Sequence, residues 1–155
     1  MRIKIGLFCL MLITLSAAGC NNIVKPAKSG KLSAFETAQI KWKTLGATDY
    51  TIEQRINCWC LFSGADYIVR VENRKIVEVK RKSDGQIMPE DQLTLFKTVD
   101  QLFELIVANP EDKVALIRVE YDKDYGFPKS IYIDYNEIKA DEEIGYETGK
   151  LEVAR

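Results

Sequence analysis

Apolar side chains recur along this chain with three rhythms, and each predicts a different kind of element. The first is a continuous run, Ile5 to Leu15, interrupted only by Gly6 and Thr14. The second has helical spacing: Phe35, Ala38, Trp42 and Leu45 form one stripe, and Val99, Leu102, Phe103 and Ile106 form another. The third alternates. Tyr50, Ile52, Gln54, Ile56, Cys58 and Cys60 interleave with Thr51, Glu53, Arg55, Asn57 and Trp59, the period of a strand with one face on a core.

Both helical stripes open on a capping box. In Ser33-Ala34-Phe35-Glu36 and Thr98-Val99-Asp100-Gln101 a hydroxyl accepts from the amide three residues on, and the longer side chain reaches back. Gly46 ends the first helix and Asn109-Pro110 the second. After Ser63-Gly64, residues Tyr67 to Glu72 and Ile76 to Lys82 form the arms of a hairpin. A three-residue loop, Asn73-Arg74-Lys75, sets Val71 opposite Val77, Val69 opposite Val79 and Arg70 opposite Glu78, keeping the two faces pure; a two-residue loop mixes them. Residues 83–97 carry Asp84-Gly85 and Pro89 with little periodicity and are expected as a loop. A second hairpin pairs Ala115, Ile117, Val119 and Tyr121 with Ile131, Ile133 and Tyr135 across the turn Asp122 to Pro128, where Gly126 is free to take positive φ. The acidic tail from Ile138 onward can supply a short edge strand around Ile144 to Thr148.

The order is helix, strands, helix, strands, without the long crossovers that parallel strands need. The expectation is a single α+β domain: an antiparallel sheet with two helices packed on one face, in the order α-β-β-β-α-β-β. The halves 33–82 and 98–135 share this order without residue-level repetition.

The apolar run at the start has another meaning. Arg2 and Lys4 precede it, and Ser16-Ala17-Ala18-Gly19 and Cys20 follow it. A basic stretch, a short apolar core and small residues make a secretory signal, and polar Asn21-Asn22 ends the run too early for a spanning helix. Ala17-Ala18-Gly19 before Cys20 resembles a bacterial lipobox, so residues 1–19 are expected as a lipoprotein signal peptide. Cys20 is the expected lipidation site, with diacylglyceryl and palmitate chains. Residues 21–31 have no apolar period and contain Pro26 and Gly30; they read as a tether reaching on the order of 35–40 Å when extended. Residues 32–155 are the domain. Two or three acyl chains hold such a domain at a membrane essentially permanently, whereas one does not. The expected location is the cell envelope; Asn21, in place of a retaining Asp, favours the outer membrane facing the periplasm in a Gram-negative cell.

Charge and composition then exclude chemistry. Losing Arg2 and Lys4 takes the formal charge from −1 to −3, with both signs mixed and no cationic block to follow a nucleic-acid backbone. The chain has no histidine. That removes imidazole-dependent triads and the usual hydrolase zinc sites. No catalytic residue, metal or cofactor is expected. A non-enzymatic binding or accessory module, with an envelope protein or glycan as partner, is the expected function, and a thiol–disulfide redox module using Cys58 and Cys60 is the alternative.

Cys58 and Cys60 share a strand face, but ideal strand geometry holds their Cα atoms about 6.5–7 Å apart, at the upper edge of the disulfide range. A local bend closes the bond, and export favours oxidation. A disulfide is the expectation; buried thiols and a redox or metal pair stay open. Asp122-Lys123-Asp124-Tyr125-Gly126 fails the spacing of a calcium loop and reads as a turn. Asp141-Glu142-Glu143 reads as a solvated face. If Trp59, Tyr132 and Asp134 share the uncovered face of the sheet, they make a partner surface; otherwise they are ordinary strand aromatics with an acid beside them.

Tyr121-Asp122 followed by Gly126-Phe127-Pro128, leading into Ile131-Tyr132-Ile133-Asp134, resembles the signature of the bacterial lipoprotein family known as domain of unknown function 6174. Trp42, Cys58-Trp59-Cys60 and Thr98-Val99-Asp100-Gln101-Leu102-Phe103 are similar to the family as well. The hairpin turn, often Asp-Gly there, is Asn73-Arg74 here. The resemblance implies a secreted or lipid-anchored envelope domain and brings no activity with it.

Overall fold

The computed structural model describes residues 32–139 and 141–154. The expected signal segment, Cys20 and the tether lie outside the described residues.

Both capping boxes form. Helix α1 runs Ala34–Leu45; Ser33 Oγ accepts the Glu36 amide at 3.2 Å and Glu36 Oε2 accepts the Ser33 amide at 2.8 Å. The Ser33 amide, together with the Ser33 hydroxyl, which donates to the same Glu36 Oε2 at 2.9 Å, holds the Glu36 carboxyl below its ordinary pKa. Gly46 closes the helix in the left-handed region at φ 65°. Helix α2 runs Val99–Ala108 from an N-cap at Thr98. Trp42 joins the two helices by donating its indole N–H to Asp100 at 2.9 Å.

Six antiparallel strands form one sheet: β1 Tyr50–Asn57, β2 Asp66–Glu72, β3 Lys75–Arg81, β4 Leu116–Tyr121, β5 Pro128–Asp134 and β6 Ile144–Val153, in the spatial order β3-β2-β1-β6-β5-β4. Each half is a helix followed by a three-stranded meander, and β1 pairs with β6 to join the halves. Tyr50, Ile52, Gln54 and Ile56 turn one way and are buried beneath the helices, while Thr51, Glu53, Arg55 and Asn57 turn the other way. Tyr50 fixes the packing: its ring meets Trp42 edge-on at 5.4 Å and its hydroxyl accepts the Val99 amide at 2.9 Å. Burial pushes the Tyr50 and Tyr146 hydroxyls up to about 12, so both stay protonated through the neutral range. Both helices lie on one face of an antiparallel sheet, as the strand pattern predicts.

Five expectations are corrected. The tail does not form a short edge strand; β6 is the longest strand and lies in the middle, burying Tyr146 and Thr148. The first hairpin has a two-residue turn, with Asn73 at φ 49° and Arg74 at φ 63°. Val69 still faces Val79 and Arg70 faces Glu78, because a bulge at Val77 absorbs the extra residue and Val71 faces Ile76. A two-residue turn with a bulge thus does what an odd loop does. Strand β1 stops at Asn57, short of the cysteines, and Tyr135 lies past the end of β5, exposed. Residues 90–95 of the expected loop are a 3-10 helix.

Gln54 is the polar member of the buried row. Its amide donates to the Lys97 carbonyl at 3.1 Å and accepts the Lys97 amide at 3.0 Å, anchoring the segment before α2 to the central sheet. Replacing Gln54 by Leu keeps the volume and strands both Lys97 groups, which is expected to cost about 2 kcal/mol. Urea unfolding of the variant measures this; an unchanged midpoint would mean that the pair carries no net stability.

Candidate functional site

The helices leave the opposite face of the sheet open, and its far end is hollow. A concavity of about 480 Å³ lies where β4, β5 and β6 meet the loop after β1. Strand alternation puts Arg118 and Glu120 of β4, Tyr132 of β5 and Glu147 of β6 on this face, while Val119, Ile131 and Tyr146 turn to the core. Gly145 lies opposite Tyr132 and keeps the floor low, since a Cβ there comes within 3.3 Å of Asn57.

The rim comes from two loops. After Asn57 the chain folds back: Cys60 donates to the Cys58 carbonyl at 2.8 Å, Ser63 to the Cys60 carbonyl at 3.2 Å and Gly64 to the Ile56 carbonyl at 2.9 Å. This turn shortens the Cα separation of Cys58 and Cys60 to 5.3 Å and brings the sulfurs to disulfide distance. Trp59, the residue between them, is 83% exposed, and nearby Leu61 is 96% exposed. Asp141, at φ 73°, and Glu143 come from the loop before β6. Glu142 points elsewhere and pairs with Lys139 at 3.3 Å.

The chemistry is acidic with aromatic walls. Glu120, Asp141, Glu143 and Glu147 surround one cation, Arg118, whose guanidinium sits 4.9 Å from the centroid of its cross-strand partner Tyr132. Glu147 also accepts from Asn57 at 3.1 Å. Arg55, at the edge of the hollow, also reaches Glu147 at 4.0 Å, so four carboxylates face two guanidiniums and the hollow keeps a negative excess, a field that draws cations. Among the described residues, no cluster of three or more Cys, Asp or Glu side chains is placed to hold a metal ion. The Asp122 carboxylate accepts the amides of Asp124 and Tyr125 at 3.0 and 2.7 Å, as the turn reading expects.

Of the three residues that the sequence nominates as a partner surface, Trp59 and Tyr132 line the hollow together. Asp134 does not: it caps the end of β5 by accepting the Asn136 amide at 2.9 Å. Arg118, Glu120 and Glu147 are missed by sequence reasoning; their only signal is alternation with core residues, and that signal needs the place of β6 in the sheet to be usable. Asp141 and Glu143, read from the sequence as part of a solvated face, line the hollow from the loop before β6.

With the bond formed, the protein alkylated without reductant is expected to carry no label on Cys58 or Cys60. Labelling of both by mass would refute the bond.

No curated protein and no solved structure matches the chain. The model of DUF6174, a family of unknown function, matches residues 34–153, a span that runs from the first turn of α1 to the last residue of β6. That match takes in both helices, all six strands and the whole hollow, and by it this chain belongs to the family of unknown function DUF6174.

Proposed function

We propose that this is an exported lipoprotein, anchored at Cys20 in the cell envelope, whose domain is a non-enzymatic module that binds a positively charged envelope partner. The observation that carries the binding reading is the loop at Cys58 to Leu61. It presents Trp59 and Leu61 to solvent beside a hollow rich in carboxylates. Large apolar side chains beside a charged concavity mark contact sites, and tryptophan dominates the energetics of such sites. Complementary charge speeds encounter and sets the orientation of the partner. The lipid anchor rests on the lipobox-like Ala17-Ala18-Gly19-Cys20, and in a Gram-negative cell the lack of a retaining Asp at position 21, which is Asn21, favours the outer membrane, facing the periplasm.

The redox alternative has weaker support. A reactive thiol needs a depressed pKa, supplied by a helix N-terminus or a neighbouring cation. Cys58 follows the end of a strand, not a helix N-terminus, and its sulfur is at disulfide distance from Cys60.

The test uses the chain in its own envelope. Wild type should incorporate a palmitate analogue and stay with membranes, and Cys20→Ala should do neither. Cross-linking in the envelope should join the wild-type chain to one partner, and both Trp59→Ala and Glu143→Lys should lose that product while the protein remains folded. If the same product survives both substitutions, the hollow is not the binding site.

A further inference from the structure

The two edges of the sheet are built differently. The outer side of β3 is protected: the strand is bulged at Val77, carries Lys75 and Lys80, and is hydrogen-bonded by the loop after it, with Arg81 donating to Gln86 at 2.8 Å and Met88 to Val79 at 2.8 Å. Bulges, lysines and covering loops are how proteins stop edge pairing. Strand β4 has no lysine and, among the described residues, no covering loop hydrogen-bonded to it, and the one irregularity of its pairing, between Glu120 and Tyr121, leaves the extra residue, Lys129, on β5. It pairs residue for residue with β5 from Leu116 to Glu120, contains no proline, and has no partner on its outer side among the described residues.

The backbone of β4 is set for a neighbour. Asp122 donates its amide to the Phe127 carbonyl at 2.8 Å, inward across the turn. Strand alternation therefore points the amides and carbonyls of Ile117, Val119 and Tyr121 out to the open edge. Their side chains are only half-buried and line an apolar groove of about 470 Å³ with Phe35, Ile106 and Val107. The core is thus open at the place where a seventh strand would lie.

We propose that the missing strand is β4 of a second copy, paired antiparallel about a two-fold axis at Val119. The side-chain pattern selects this partner and this register. With the axis at Val119, Arg118 of each copy faces Glu120 of the other, and Ile117 faces Tyr121. Moving the axis by one residue sets Arg118 against Arg118 or Glu120 against Glu120, which repels. The pairing makes one continuous twelve-stranded sheet and brings the two apolar grooves together on the helix side. Ser33 lines the same groove, so both chains enter their domains near the axis and on the same side of the sheet. This geometry lets two anchored copies pair on one membrane. It stands apart from the ligand reading above, because its readout is mass and needs no ligand.

The test is a charge swap in the full chain, purified in detergent, with protein mass measured by light scattering. Wild type is expected as a dimer. Arg118→Glu and Glu120→Arg each place like charges opposite one another twice and should weaken the dimer about tenfold or more, giving monomer. An equal mixture of the two variants restores both attractive pairs and should recover the dimer mass. Both side chains are on the surface, so neither variant threatens the fold. A wild-type chain that is monomeric at every concentration, a variant that dimerises as wild type does, or a mixture that stays monomeric would each overturn the proposal.

Discussion

Ending the chain after Glu143 is expected to abolish the folded domain, although it removes only the last strand. Strand β6 hydrogen-bonds to β1 on one side and to β5 on the other, and β1 and β5 do not otherwise meet. Its loss opens the backbone of two central strands along their whole length and exposes the core around Ile131, Ile133 and Ile56. It also removes Tyr146, whose hydroxyl donates to the Leu95 carbonyl at 3.3 Å, and Thr148, whose hydroxyl donates to the Pro128 carbonyl at 2.6 Å. Losing one large buried aromatic alone costs about 3–5 kcal/mol. A domain of this size is stable by about 5–15 kcal/mol, so loss of the whole strand exceeds what is available. Far-UV circular dichroism and urea unfolding decide the matter. A truncated chain that still unfolds cooperatively would show that the halves hold together without β6. Removing only the residues after Val153 spares the β1–β6 register and loses one backbone bond, from the Ala154 amide to the Asp49 carbonyl at 2.9 Å, so the transition should shift little.

Gly126→Ala is expected to cost about 2–5 kcal/mol, because its Cβ would make the closest contact of any described glycine. Two terms add. Gly126 has φ 81°, where an L-residue pays about 1–2 kcal/mol. The new Cβ would also sit 2.3 Å from the Ala38 carbonyl oxygen and 2.8 Å from Lys41 Cβ, and the first of these is helix backbone. Such overpacking costs about 1–3 kcal/mol. The turn before β5 and α1 are docked through this contact, and Lys41 also donates to the Lys123 carbonyl beside it. Gly85→Ala provides the control. Gly85 has φ 74°, but its Cβ would meet nothing within 4 Å, so only the conformational term remains. Urea midpoints of the two variants separate the terms. Equal losses would mean that the close approach of helix and turn is not rigid.

The elements with local causes were legible in the sequence. Each capping box is a contact between residues three apart, and each formed at the residue where it was expected. The helical stripes and the alternating rows identified the core face, because a period is a property of the chain before it folds. The short distance between Cys58 and Cys60 was legible only as a condition, that a bend must follow the strand. The bend depends on hydrogen bonds from Ser63 and Gly64 back to Cys60 and Ile56. The candidate site was half legible. Trp59 and Tyr132 stand out by type, whereas Asp134 was placed in the partner surface by face alone and is occupied by a backbone cap at the end of its strand.

By itself, the sequence determined an α+β domain, the inner face of each strand and both helix starts, since these follow from backbone periodicity and from groups a few residues apart. Only the tertiary structure decided that the last strand joins the two halves and that an acidic hollow forms beside Trp59. Which strand pairs with which is set by contacts between residues far apart in the chain. Tyr50 meets Val153 and Asn57 meets Gly145 across β1 and β6, and nothing local in either segment encodes its partner.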